Sequence, residues 1–257
     1  ESWHRGSTTS TIINRGSIVA DVSGRTIRIN PVNGSFRNEG TIEATNGGSL
    51  LVTRLQAKMG TIRAGMNGAI AINGDLNLEA TGTFILEVGG TSSELFGSVS
   101  VSGALNLGGT FDIDLVNGYE PQLGDEIAFL NFGVSPITGA FTQLVDFDID
   151  ANRAFDVDVS GSTLKLSVVS PGSDIESPQL IAQSPQNGAT VGRLSTVTLS
   201  FDERVDPSTV NASTVQLSGP NGAISPTLIT STDLGRQYAI TYNSFDIGGH
   251  NLTLKAA

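Results

Sequence analysis

Through the first part of the chain, apolar residues alternate with polar ones over runs of only three to five residues, and glycine-containing polar turns break each run. That period of two, so briefly sustained, predicts short strands with one face turned inward. Three segments align on one another: Asn14-Arg15-Gly16-Ser17-Ile18-Val19-Ala20, Asn38-Glu39-Gly40-Thr41-Ile42-Glu43-Ala44 and Met59-Gly60-Thr61-Ile62-Arg63-Ala64. Each is followed by a turn and a second alternating run: Thr26-Ile27-Arg28-Ile29, Ser49-Leu50-Leu51-Val52 and Ala69-Ile70-Ala71-Ile72. The shared glycines fall at 16, 40 and 60. A unit this small cannot bury a core alone, but stacked units bury a continuous apolar column. Ile18, Ile42 and Ile62 are therefore expected in one interior column, with Gly16, Gly40 and Gly60 at turns.

A longer repeat follows. Gly74-Asp75-Leu76-Asn77-Leu78 and a Gly82-Thr83-Phe84 corner match Gly103-Ala104-Leu105-Asn106-Leu107 and Gly109-Thr110-Phe111, and both continue in strict alternation. Leu76, Leu78, Phe84, Leu105, Leu107 and Phe111 join the expected core, and Gly82 and Gly109 the turns. Further strands are predicted at 126–130, 139–142 and 163–168. No stretch of ten or more residues carries the three-and-four apolar spacing of a helix, so helix content is expected to be very low.

The repeats stop at Ser170. Residues 171–177 hold proline, glycine, serine and two acids and read as a linker. Beyond it, Thr196–Phe201, Gln237–Tyr242 and 251–254 alternate cleanly between Gly, Pro and Asn turns, which predicts a β-sandwich. Asp206 before Pro207 predicts a single helical turn over 206–210. The organisation is thus a repeat domain at 1–170, a linker at 171–177 and a second domain at 178–257.

Two resemblances sharpen this all-β reading. The N-x-G-x-I-x-A units, and the stretch from Tyr119 to Phe132 followed by Gly139-Ala140-Phe141-Thr142, resemble the right-handed parallel β-helix (β-solenoid) of filamentous haemagglutinins and autotransporter passengers. In the second domain, Ser184-Pro185-Gln186-Asn187-Gly188-Ala189, the run from Val197 to Val210 and the run from Val215 to Gly222 resemble bacterial Ig-like domains of surface-layer proteins and adhesins. The first resemblance implies a β-helix. The second implies an Ig-like β-sandwich that acts as a spacer, here expected to lack its last strand.

The formal net charge of −11 argues against an electrostatic grip on nucleic acid or anionic lipid. It is unevenly spread: residues 71–170 carry 14 acidic and 2 basic groups, whereas 1–70 carry 8 basic and 4 acidic. With no cysteine, disulfides, thiolate zinc sites and cysteine nucleophiles are excluded, and the composition fits a secreted bacterial protein. No apolar stretch approaches the length of a membrane span. Glu1-Ser2-Trp3-His4-Arg5 does not read as a signal peptide, and the sequence is expected to be the interior of a longer chain.

Candidate chemistry is sparse. The two histidines, His4 and His250, lie near a terminus and in a Gly-Gly turn, and no G-x-S-x-G elbow or phosphate loop accompanies them. Asp112 and Asp114 lie two apart on a predicted strand, so both face one way, ~6.5 Å apart. Paired carboxylates at such a distance suit an inverting polysaccharide hydrolase. However, Phe111, Ile113 and Leu115 claim the inward face, which turns the aspartates to solvent. The second cluster is Asp146, Asp148, Asp150 and Asn152, followed by Asp156 and Asp158; alternate oxygen ligands make it a candidate calcium site. An EF-type loop starting at Asp146 would want Gly and Glu where Ala151 and Val157 stand. The competing reading is two strands, with Phe147, Ile149, Phe155 and Val157 inward, joined by a turn at 151–153.

The expected function is a non-enzymatic, extracellular surface or adhesin-type protein: a solenoid stalk or binding face plus an Ig-like spacer. Its expected partners are a glycan or cell-surface ligand and other domains of the same long chain, with no cofactor beyond candidate calcium. The alternative is a secreted polysaccharide lyase or glycoside hydrolase on a β-helix scaffold.

Overall fold

The computed structural model describes residues 11–57, 60–170, 178–186, 189, 193–205, 209–219, 222–232, 235–246 and 253–256. The expected linker, both histidines and residues 206–208 of the helical turn predicted over 206–210 lie outside them. Among the described residues there is no α-helix. The chain divides into two compact units, Glu1–Ile137 with Gln143–Asp174, and Thr138–Thr142 with Ile175–Ala257.

In the first unit, successive repeats lay one strand each on three parallel ladders. The first ladder joins Ile12–Asn14, Phe36–Asn38 and Leu55–Ala57. The second joins Ser17–Ala20, Thr41–Ala44, Thr61–Ala64, Thr83–Val88, Thr110–Leu115 and Gln143–Val145. The third joins Thr26–Ile29, Ser49–Thr53, Ala69–Asn73 and Ser98–Leu107. Equivalent repeat positions meet in register, because a slip of one residue would turn every apolar side chain to water. Ile18, Ile42, Ile62, Phe84, Phe111 and Leu144 are consecutive partners in the second ladder. Ile42, Ile62 and Phe111 are fully buried, while Ile18, on the edge strand, is half-buried. Leu76 meets Leu105 in register, as the longer repeat predicts. Farther along, Phe84, Phe111, Phe129 and Phe147 fill the core, with ring centroids 5.9 Å apart for Phe84 and Phe129, 5.2 Å for Phe111 and Phe129 and 5.3 Å for Phe111 and Phe147.

Two polar devices fit the turns to this stacking. Asn38, fully buried, donates from Nδ2 to the carbonyls of Gly40 (3.1 Å) and Thr61 (3.0 Å) and accepts from Nδ2 of Asn14 at 2.8 Å. Gly40 packs so tightly that a Cβ there would lie 2.1 Å from the Gly16 carbonyl oxygen; Gly16, just before the edge strand Ser17–Ala20, has open space. Gly109 is a glycine for a second reason, a φ of +65°.

The parallel pattern then gives way to an antiparallel one. Glu126–Gly139 pairs Thr163–Val169, which pairs Arg153–Ser160, which pairs Asp148–Asp150. The strand expected over 139–142 does not form: the preceding strand ends at Gly139, whose φ of +72° turns the chain, and pairing resumes at Gln143.

In the second unit, Leu180–Ser184, Arg193–Phe201, Gln237–Asp246 and Leu228–Thr232 form one antiparallel sheet. Gly222–Ile224, Val215–Gly219 and Thr253–Ala256 form another. Leu194, Val197, Leu199, Ile240 and Tyr242 from the first sheet pack in one core with Val215 and Leu217 from the second, so the unit is a β-sandwich.

Candidate functional site

The charged side chains of the second ladder collect on its outer face. Inward residues such as Phe84, Leu86, Phe111 and Ile113 occupy alternate positions, and the positions between them place Glu43, Arg63, Glu87, Asp112 and Asp114 outward on four neighbouring strands. Arg63 is the hub. Its Nη2 reaches Asp114 Oδ2 at 2.5 Å, its Nε donates to Glu87 Oε1 at 3.0 Å, and Glu43 Oε1 lies 3.7 Å from the same Nε. The second oxygen of Glu87 accepts the backbone N–H of Met66 at 2.8 Å. Burial works against the Arg63 charge, but hydrogen bonds to Asp114 and Glu87 outweigh it and hold its pKa above the ordinary value. Burial raises the Glu43 pKa, and Arg63 only partly offsets it.

Asp112 and Asp114, read together from the sequence, have different surroundings. Both point outward, as the competing claim of Phe111 and Ile113 requires, but Asp114 is closed by Arg63. The Asp112 pKa is raised, first by burial and then by the charges of Asp146 and Asp114. A guanidinium gripped by three carboxylates has little left to offer an anionic substrate. Glu43 and Asp112 are thus the two acids of this face whose pKa is raised.

The candidate calcium ligands do not converge. Asp146 sits in a turn with φ +58°, and Asp148 and Asp150 lie on the strand Asp148–Asp150, antiparallel to Arg153–Ser160. Asp150 is taken up locally: Oδ2 accepts from Arg153 Nε (2.9 Å) and Nη2 (2.7 Å), and Oδ1 from the Asn152 N–H (2.8 Å). These bonds hold its pKa below the usual carboxylate range. Phe147, Phe155 and Val157 are buried and Ile149 half-buried, which is the two-strand arrangement. Among the described residues no three His, Cys, Asp or Glu side chains are grouped closely enough to hold a metal ion.

The hub role of Arg63 escapes composition and spacing, yet a signal for half of it was present: aligning the repeats puts Glu43 and Arg63 at the same position, hence side by side. Its contact with Asp114, 51 residues away, has no such signal. Two shallow cavities lie elsewhere. One, about 360 Å³, is bordered in the sandwich by Val210, Asn211, Pro226 and Leu228. The other, about 350 Å³, lies on the outer side of the third ladder over Leu51, Ala71 and Ser100.

No helix among the described residues is long and apolar enough to cross a membrane. No curated protein matches the chain. A family model described as a bacterial Ig-like domain matches residues 174–250, which agrees with the two-sheet core of the second unit. That family is non-catalytic and typical of bacterial surface and extracellular proteins, so the stretch 174–250 is similar to the Ig-like domains of bacterial surface-associated proteins.

Proposed function

We propose that the protein is a non-enzymatic, extracellular structural and binding component of a bacterial cell surface. In this reading residues 1–170 form a right-handed parallel β-helix that serves as a stalk or binding face. Residues 178–257 form an Ig-like spacer toward other domains of the same chain. The observation that carries the reading is the Ig-like match at 174–250. The three parallel ladders support the β-helix, and the strong preference of parallel crossovers for a right-handed path supports its hand. Protease shaving of intact cells of the source bacterium, followed by immunoblotting with antibody to this chain, tests it. Loss of the protein with an intracellular marker left intact is expected; a protein that survives until lysis overturns the surface assignment.

A second reading, a polysaccharide-degrading enzyme, has one observation in its favour: the acids around Arg63 with Asp112 raised beside them. Release of reducing ends or unsaturated products from polysaccharides, abolished by Asp112→Asn, would establish it in place of the first.

A further inference from the structure

The outer side of the third ladder carries a row that the charged face lacks. Asn30 and Ser102 flank the register pair Thr53 and Asn73. Carboxamide and hydroxyl alternate along the stacking direction, and each hydroxyl donates to an amide. Thr53 Oγ1 donates to Asn30 Oδ1 at 2.7 Å, and Ser102 Oγ donates to Asn73 Oδ1 at 3.2 Å while accepting the Gly74 N–H at 2.9 Å. Across the trough, Thr163 Oγ1 donates to Asn131 Oδ1 at 2.8 Å. In all three asparagines Oδ1 faces the hydroxyl and accepts from it, which leaves Nδ2 on the other side of the carboxamide. Each Nδ2 group is left without an acceptor among the described residues.

Between Asn73 and Asn131 lies the cavity of about 350 Å³, floored by Leu51, Ala71 and Ser100 and lined by no charged side chain. Leu51, Ala71 and Ser100 are consecutive outward partners, which makes the floor flat, small-residued and partly apolar. Such a surface offers hydrogen-bond donors at its rim and an apolar strip between them. A ligand that fits brings acceptor oxygens at its edges and a C–H face to lay on Leu51 and Ala71. An extended peptide fits less well, because its N–H groups need acceptors and each amide oxygen already accepts one hydrogen bond. An acidic polysaccharide meets no cation in the cavity lining and a net charge of −11; Arg28, the exposed register partner of Leu51, stands only at the Asn30 end of the row.

We propose that this trough binds a linear, uncharged β-linked polysaccharide, laid along the stacking direction with its ring faces on Leu51 and Ala71. Asn30 and Asn73 stand two strands apart, ~10 Å at the strand spacing, which is close to the length of a disaccharide unit in an extended β-linked chain. Asn73 and Asn131 grip one unit, and Asn30 reaches the next. The proposal rests on the binding role given above but not on the surface location, so the shaving experiment and the one below fail independently.

Isothermal titration of the 257-residue chain with neutral β-linked hexasaccharides of the gluco-, xylo-, manno- and N-acetylglucosamine series tests it, with polygalacturonate as charged control. Saturable 1:1 binding to at least one neutral hexasaccharide is expected, and none to polygalacturonate. Asn73→Ala weakens it about fivefold, the share of one hydrogen bond. Ala71→Lys, whose side chain occupies the trough, abolishes it, with the thermal melt checking that both variants fold. Asn30→Ala weakens the hexasaccharide but not the matching disaccharide. Absence of saturable binding to every neutral probe, binding that survives Ala71→Lys, or equal binding of polygalacturonate overturns the proposal.

Discussion

Asn38 offers the sharpest test of how the stacked repeats are held together. Asn38→Ala removes three hydrogen bonds at a fully buried position, to Gly40, Thr61 and Asn14. At a net ~1 kcal/mol per bond, with a small void in place of the carboxamide, the loss comes to about 2–4 kcal/mol. Asn14 is the control. It also makes three bonds, to Asn38, Thr41 and Gly16, but it lies on an edge strand. In a stacked array an end unit frays at the cost of its own interface only, so Asn14→Ala is expected to cost about 1–2 kcal/mol. Equilibrium urea unfolding followed by far-UV circular dichroism measures both, and amide exchange at Thr41 and Thr61 locates the effect. An Asn38→Ala variant within about 0.5 kcal/mol of the parent, or no more damaged than Asn14→Ala, refutes the reasoning. The turn would then be held by backbone stacking alone.

Arg63→Met leaves Glu43, Glu87 and Asp114 facing one another; a Tm loss worth about 1–3 kcal/mol at low salt, partly recovered in 1 M NaCl, is expected in thermal melts. The Asp112 pKa is raised on folding, so the stability it contributes is present below about pH 4 and is lost as pH rises through the folded-state value. Asp112→Asn should therefore raise Tm at pH 7, a gain that disappears below about pH 4 in a pH series of melts. Gly40→Ala, which would press a Cβ against the Gly16 carbonyl, is expected to destabilise far more than Gly16→Ala, where the space is open; paired urea curves decide it. Because Asp150 is already bound to Arg153, melts in millimolar Ca²⁺ and in chelator at matched ionic strength should coincide, and a shift that Mg²⁺ does not reproduce would restore the calcium site.

What the sequence determines by itself is which residues face inward and which repeats lie against one another. Alternation selects Ile42, Phe84 and Phe111 for the core, and the likeness of the repeats pairs Ile18 with Ile42 and Leu76 with Leu105, because a register slip would expose every apolar side chain. The same logic foresees the outward turn of Asp112 and Asp114 and the strand pair around Asn152. It breaks down at 139–142, where a positive φ at Gly139 ends a strand in a stretch that still reads as one. Only the tertiary structure decides what the outward side chains do. Their positions are free of the core's packing constraint, so nothing in the pattern says that Arg63 reaches Asp114 rather than water, or that Arg153 pairs with Asp150. The carboxamides of Asn30, Asn73 and Asn131 likewise accept from hydroxyls on separate strands, which become neighbours only when the ladders assemble.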